Sequence, residues 1–140
     1  MGCKPDGGTT MDTRASIEAL LDKAYAARQQ QDAEAAAACF TEDGCFRANG
    51  GPPTANRVEQ TMSLKAQFEA FELLKMEIHC RVIDPPRAVV HWRGAFRAKN
   101  GQVGETDILD LIEVRDGQIA ALTTFFDTAY AVALSAPPTR

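Results

Sequence analysis

Asp110 breaks the pattern of its own segment. In Ile108-Leu109-Asp110-Leu111-Ile112-Glu113-Val114, alternation places Asp110 on the side that carries Ile108, Ile112 and Val114. A carboxylate on an apolar side loses hydration, which disfavours its charged form and is expected to raise its pKa. Such a group is either satisfied by a partner or kept for chemistry, the chemistry here being general acid/base transfer of a proton. If the faces are exchanged, with Leu109 and Leu111 inward, Asp110 meets solvent or a rim amide instead. Trp92, the single tryptophan, has the inner parity of the preceding strand. Its ring can wall an apolar cavity and its N–H can donate to Asp110, or it can serve as a plain core aromatic. Tyr25 flanks the apolar stripe of the first helix, where it either offers a phenol to the same cavity or faces solvent.

Other chemistry-bearing residues point elsewhere. His79 and His91 share the outward parity of adjacent strands and read as sheet-surface or interface residues. Cys3, Cys39, Cys45 and Cys80 contain no C-x-x-C pair, so a tetrahedral zinc site is not indicated. Reduced cysteines packing as small hydrophobes fit a cytoplasmic protein. No metal and no other cofactor is expected.

The elements that position these groups follow from periodicity. Ile17, Leu20, Leu21, Ala24 and Arg28 recur at helical spacing, with Asp12 or Thr13 as the cap, giving a helix over about 13–30. Asp32 caps a second, alanine-rich helix that runs to Phe40. A short strand, Cys45 to Ala48, follows the Asp43-Gly44 turn, and the Gly/Pro-rich segment 49–53 is a loop. A third helix is predicted over about 54–69. From residue 72 the period becomes two: Leu74, Met76, Ile78, Cys80 and Val82 share one face of a strand. Val90, Trp92, Gly94 and Phe96 share a face of the next strand, and a third covers about 104–115. Lys99-Asn100-Gly101 and Arg115-Asp116-Gly117 make the hairpins, and Ile119 to Phe126 is the last strand. Three helices before a four-stranded antiparallel meander give an α+β domain over 13–135, with helices on one face of the sheet. Residues 1–12 and 136–140 read as tails.

A chain of 140 residues, 45% hydrophobic and 24% charged, suits one globular domain and excludes collagen, coiled coil and disorder. Its net charge of −4 provides no basic footprint, so nucleic acid is not an expected partner. No run approaches the eighteen or so apolar residues that a membrane span needs, and the first residues lack a secretory apolar core. Val89, Ala95, Leu109 and Leu111 make the outer sheet face too apolar for open solvent, which points to a partner subunit.

Several phrases resemble a known family. They are Asp32-Ala33-Glu34 through Phe40-Thr41-Glu42-Asp43-Gly44, the strand Leu74 to Ile83, Ala88 to Gly94, Leu109 to Ile119, and Phe125-Phe126-Asp127. Together they resemble the SnoaL-like members of the NTF2-like superfamily, which includes ketosteroid isomerase and limonene epoxide hydrolase, over nearly all of residues 14–130. The resemblance implies a cystatin-like cone: a strongly curved antiparallel sheet wrapped on helices, an apolar pocket at its open end, and a homodimer. Asp110 matches the acidic strand residue that many members direct into the pocket. In ketosteroid isomerase that acid donates a hydrogen bond to a developing oxyanion, and in SnoaL-type cyclases an Asp in this region is the general acid/base. The isomerase base falls on Ala48 and its tyrosine nearest Ala24, with Tyr25 one residue away, so steroid isomerisation is disfavoured. Epoxide hydrolysis needs an Arg between two carboxylates. Asp110 and Asp127 are available, whereas Arg93 and Arg97 face outward. The expected activity is acid/base chemistry by Asp110 on a small apolar carbonyl or polyketide-like compound, with Trp92, Tyr25, Arg47, Ile108, Ile112 and Phe125 around the ligand. The alternative is a non-catalytic module of the same fold that binds a ligand or a protein.

Overall fold

The computed structural model describes residues 12–136. The two tails expected at the ends, together with Cys3, lie largely outside the described residues. Asp12, at the inner end of the first, accepts from the backbone N–H groups of Asp116 and Gly117 at 3.0 and 2.7 Å.

Helix α1 (Arg14–Gln29) starts at Thr13, whose hydroxyl accepts from the Ser16 N–H while Ser16 Oγ accepts from the Thr13 N–H, a reciprocal capping box. Ile17, Leu20, Leu21, Ala24, Tyr25 and Ala27 are its buried residues. Asp32 caps α2 (Ala33–Ala38) through the Ala35 N–H. The first strand, β1 (Phe40–Ala48), begins earlier than its expected Cys45 start. It is followed by α3 (Arg57–Ala70), capped by Asn56. The meander is β2 (Phe71–Asp84), β3 (Arg87–Ala98), β4 (Val103–Arg115) and β5 (Gln118–Phe125). A fourth helix beyond the three expected, α4 (Thr128–Ser135), is capped by Asp127.

All five strands form one curved sheet in the order β1-β5-β4-β3-β2. Neighbours in the meander pair antiparallel, but β1 pairs parallel with β5, so the sheet is mixed and not wholly antiparallel. Its inner face buries Ala88, Val90 and Trp92 of β3, Ile108, Asp110, Ile112 and Val114 of β4, and Leu122 and Thr124 of β5 against α1. Each large aliphatic side chain buried in this layer contributes about 1.5–3 kcal/mol relative to exposure.

Bulges decide which residues face inward. Opposite Glu113 and Val114, β5 carries one extra residue, so that Glu113 pairs with Ala121 and Val114 with Ile119. That single insertion inverts parity along the rest of the strand. In β2, register shifts at Leu73/Lys75 and Ile78/Cys80 do the same. Leu73, Met76 and Ile83 therefore turn toward the core, while Leu74, Ile78, Cys80 and Val82 are exposed, which corrects the single apolar face expected for that strand.

Candidate functional site

The site grows from four side chains on three elements. Tyr25 and Arg28 lie three residues apart on α1 and so project from one helical face. Trp92 of β3 and Asp110 of β4 come from the inner face of adjacent strands, whose register pairs Val90 with Asp110 and Trp92 with Ile108. Gly94 follows Trp92 on that face, and a Cβ there would strike the rings of both Trp92 and Phe96. The glycine thus leaves room for two large aromatic residues on one strand face.

Asp110 has 0% exposure. Its Oδ2 receives three donors: the Tyr25 hydroxyl in a short hydrogen bond, Trp92 Nε1 at 2.9 Å and the Arg28 guanidinium at 3.1 Å. Its Oδ1 is buried without a hydrogen-bond partner among the described residues. The expected apolar setting of Asp110 is therefore only half of the environment, because its charge is compensated by a cation from α1. Arg28 packs over two neighbouring rings, its Cζ 5.5 Å from the Tyr25 centroid and 5.4 Å from that of Trp92. Contacts of this kind help a partly desolvated guanidinium, whose side chain here is 14% exposed. The Tyr25 ring meets Trp92 edge-on at 6.4 Å. Burial above all, and then the adjacent Asp110 charge, push the Tyr25 phenol well above its ordinary pKa, so it remains a neutral donor.

This cluster forms one end of a cavity of about 420 Å³, within the usual size range of small-molecule sites. Arg28, Trp92 and Ile108 line it beside Phe96 and Thr124. Phe68, Phe71 and Leu73 supply a wall from α3 and β2, and Ala48 another from β1. Phe126, Asp127, Tyr130, Ala131 and Leu134 close a further side from the last loop and α4. That helix is held in place by its surroundings. Asn100 Nδ2 donates to the carbonyls of Leu134 and Ala136 at 2.9 and 2.7 Å, Gln102 donates to Ala136 at 3.2 Å, and the Tyr130 hydroxyl rests on Gly104, where any Cβ would overlap it.

The structure divides the sequence-expected residues. Trp92 and Ile108 line the cavity. Asp110 and Tyr25 sit directly behind Arg28 and Trp92 and are not part of the lining; Tyr25 is buried, unlike a solvent-facing flank residue. Ile112, two residues further along β4, belongs to the closed core. Arg47 points away from its neighbours Phe46 and Ala48 and donates to the Gly50 carbonyl at 2.8 Å, so it is not at the cavity. Phe125 is 41% exposed on the outer sheet face; the β5 bulge brings Phe126 to the cavity in its place. The residue missed by sequence reasoning is Arg28. Its signal was present, a cation standing on the stripe of Leu21 and Ala24, as Asp110 stands among isoleucines.

Elsewhere, His79 and His91 lie on the outer sheet face with ring centroids 5.2 Å apart, and each approaches a carboxylate, Glu77 at 3.7 Å and Asp107 at 3.4 Å. Cys39 and Cys80 are free thiols, and burial raises the pKa of Cys39. Among the described residues no cluster of His, Cys, Asp and Glu could hold a metal ion, and no helix is long and apolar enough to cross a membrane.

Comparisons with known proteins agree on the architecture. No curated protein matches the chain. Among solved structures, a SnoaL-like polyketide-cyclase candidate from Jannaschia sp. CCS1 is 18% identical, with a TM-score of 0.78 over 94% of this chain and 100% of its own. A ketosteroid isomerase-like protein from Erwinia carotovora atroseptica is 24% identical, with a TM-score of 0.66 over 80% of this chain and 94% of its own. An LEH-like epoxide hydrolase of M. tuberculosis is 16% identical, with a TM-score of 0.69 over 82% and 85%. These likenesses establish a shared fold, which hosts more than one chemistry. The model of the SnoaL-like domain matches residues 21–122, a span that includes α1 from Leu21 and reaches into β5, and the chain accordingly belongs to the SnoaL-like family.

Proposed function

We propose that the protein binds a small, largely apolar carbonyl compound in the cavity and promotes an isomerase- or cyclase-type proton transfer on it. One observation carries this reading: an almost wholly apolar cavity ends on a buried carboxylate–guanidinium pair. A carbonyl oxygen next to a guanidinium in a water-poor site is polarised, which acidifies its α-hydrogens. Among the described residues Asp110 Oδ1 has no hydrogen-bond donor, which leaves a lone pair for a proton. A positioned carboxylate of this kind contributes on the order of 10²–10⁴-fold.

The non-catalytic alternative is favoured by one feature, the position of Asp110 behind the lining and not in it. Proton exchange separates the two. A methyl ketone such as 2-acetylnaphthalene in D₂O should take up deuterium at its α-carbon faster with the protein than in buffer, and Asp110→Asn should remove the acceleration while the ketone still binds. Binding without exchange in the wild type would leave a ligand carrier.

We further propose a homodimer through the outer sheet face. Leu109 pairs across the strands with Phe125, and Leu111 with Val89; Leu109, Leu111 and Phe125 are 42%, 44% and 41% exposed. Sedimentation of Leu111→Arg should show a shift from dimer to monomer, and a wild-type monomer at micromolar concentration would refute the interface.

A further inference from the structure

We infer that Arg28 is the residue that selects the ligand, and that it selects an uncharged hydrogen-bond acceptor over a carboxylate because Asp110 has already consumed its charge. The inference rests on the ligand-binding reading above and names the chemical class of the group that reaches the deep end.

Arg28 is the one member of the cluster with both properties that this role needs. The residue lines the cavity, and among the described residues its guanidinium makes a single hydrogen bond, from one N–H on Nη1 to Asp110 Oδ2. A guanidinium has five N–H donors, so four remain. Arg28 packs over the adjacent Tyr25 and Trp92 rings and Asp110 fixes one end, which limits its freedom to swing away before a ligand arrives.

The charges then decide the class. Arg28 and Asp110 sum to zero at the deep end. A ketone, ester or amide oxygen accepts from the spare donors there without adding net charge to an apolar space. A carboxylate would bring a second anion to a guanidinium that already serves one, leaving an uncompensated negative charge in a site with little water. The other ionisable lining groups are Asp127 and Tyr130 near α4, and neither offers the acid a cation. An ammonium head would meet the like charge of Arg28 at the deep end, with only the neutral Thr124 hydroxyl and the Trp92 ring to offset it. A ligand lacking any polar head would leave those donors unsatisfied once water is expelled. Asp110 is thus a positioning residue for this selection: it acts through Arg28 by holding and neutralising it.

Three naphthalenes of similar shape test this by titration calorimetry at pH 7: 2-acetylnaphthalene, 2-naphthoate and 2-ethylnaphthalene. The wild type should bind the ketone at least tenfold more tightly than either of the others. Arg28→Gln should reduce the ketone's advantage over 2-ethylnaphthalene by tenfold or more. Asp110→Asn frees the guanidinium's charge and should reverse the order of the first two, so that naphthoate outcompetes the ketone. A merely structural role for Asp110 would weaken all three together and would not reverse them. Equal affinities in the wild type, or a wild type preferring naphthoate, would overturn the inference while leaving ligand binding intact. No heat with any probe would remove the ligand-binding reading and this inference with it. Should Asp110→Asn fail to fold by circular dichroism, the wild type and Arg28→Gln still decide the question.

Discussion

Removing the negative partner at the centre of the site should cost more than removing both charges together. In Asp110→Asn the amide oxygen can still face Tyr25, Trp92 and Arg28, so shape and hydrogen bonding survive while the counter-charge of Arg28 is lost. Breaking one side of a buried ion pair typically costs about 3–5 kcal/mol. Arg28 is 14% exposed and borders a cavity, so water screens part of its charge, and we expect about 2–3 kcal/mol. Arg28→Met alone leaves a fully buried carboxylate with two neutral donors and should cost a similar amount. In the double variant the methionine fills the stem's volume and no ion remains, so the loss should fall to about 1–2 kcal/mol. The resulting coupling is then about 2–5 kcal/mol, far above the few tenths expected of independent sites. Urea unfolding followed by far-UV circular dichroism measures it. With a slope of about 1–3 kcal/mol/M, the single variants should lower the midpoint by about 1–2 M and the double variant by clearly less. A double variant as unstable as the sum of the singles would show that the two groups do not act as a pair, and the account of the site built on their mutual neutralisation would fail.

Other outcomes follow from the same geometry. The folded-state pKa of Tyr25 lies above its unfolded value, so the stabilisation it provides is complete below about pH 10 and is lost as pH rises beyond it. In absorbance titration at 295 nm one of the two tyrosines should ionise only on unfolding, and Tyr25→Phe should delete that delayed step; persistence of the step would place it elsewhere. Gly104→Val would drive a Cβ into the Tyr130 hydroxyl and lift α4 from the cavity. Acrylamide should then quench the single Trp92 more strongly, and unchanged quenching would mean that α4 does not control access. Asp43 is held below its ordinary pKa by the Thr41 hydroxyl and then by Arg115, so its contribution is present above pH 3.8 and fades as the pH falls below it. Asp43→Asn should flatten the acid limb of the stability profile slightly, and an unaltered limb would assign acid sensitivity to other groups.

The helices over 14–29 and 33–38 and the strands β3 and β4 were legible because each buries one face, and a buried face imprints its period on the sequence; β2 was legible as a strand, but its bulges put the expected apolar face in solvent. Strand parity likewise turned Asp110 and Trp92 to the same side. The α4 segment left no such imprint: Thr128–Ser135 is apolar nearly all round, buries none of its residues, and is held by Asn100 and Gln102 from a distant hairpin.

What the sequence determined by itself was everything carried by local repetition: element type, approximate bounds, the inward face of β3 and β4, and the anomaly of a carboxylate among isoleucines. Tertiary structure alone decided what surrounds that carboxylate. Arg28 and Tyr25 lie 82 and 85 residues from Asp110, and no local period links a helix face to a strand face. One-residue bulges in β2 and β5 depend on pairing with a neighbour, and it is Phe126, not the expected Phe125, that reaches the cavity. The distinction is physical: periodicity records whether a side chain is buried, whereas the identity of its neighbours is fixed only when separate elements pack together.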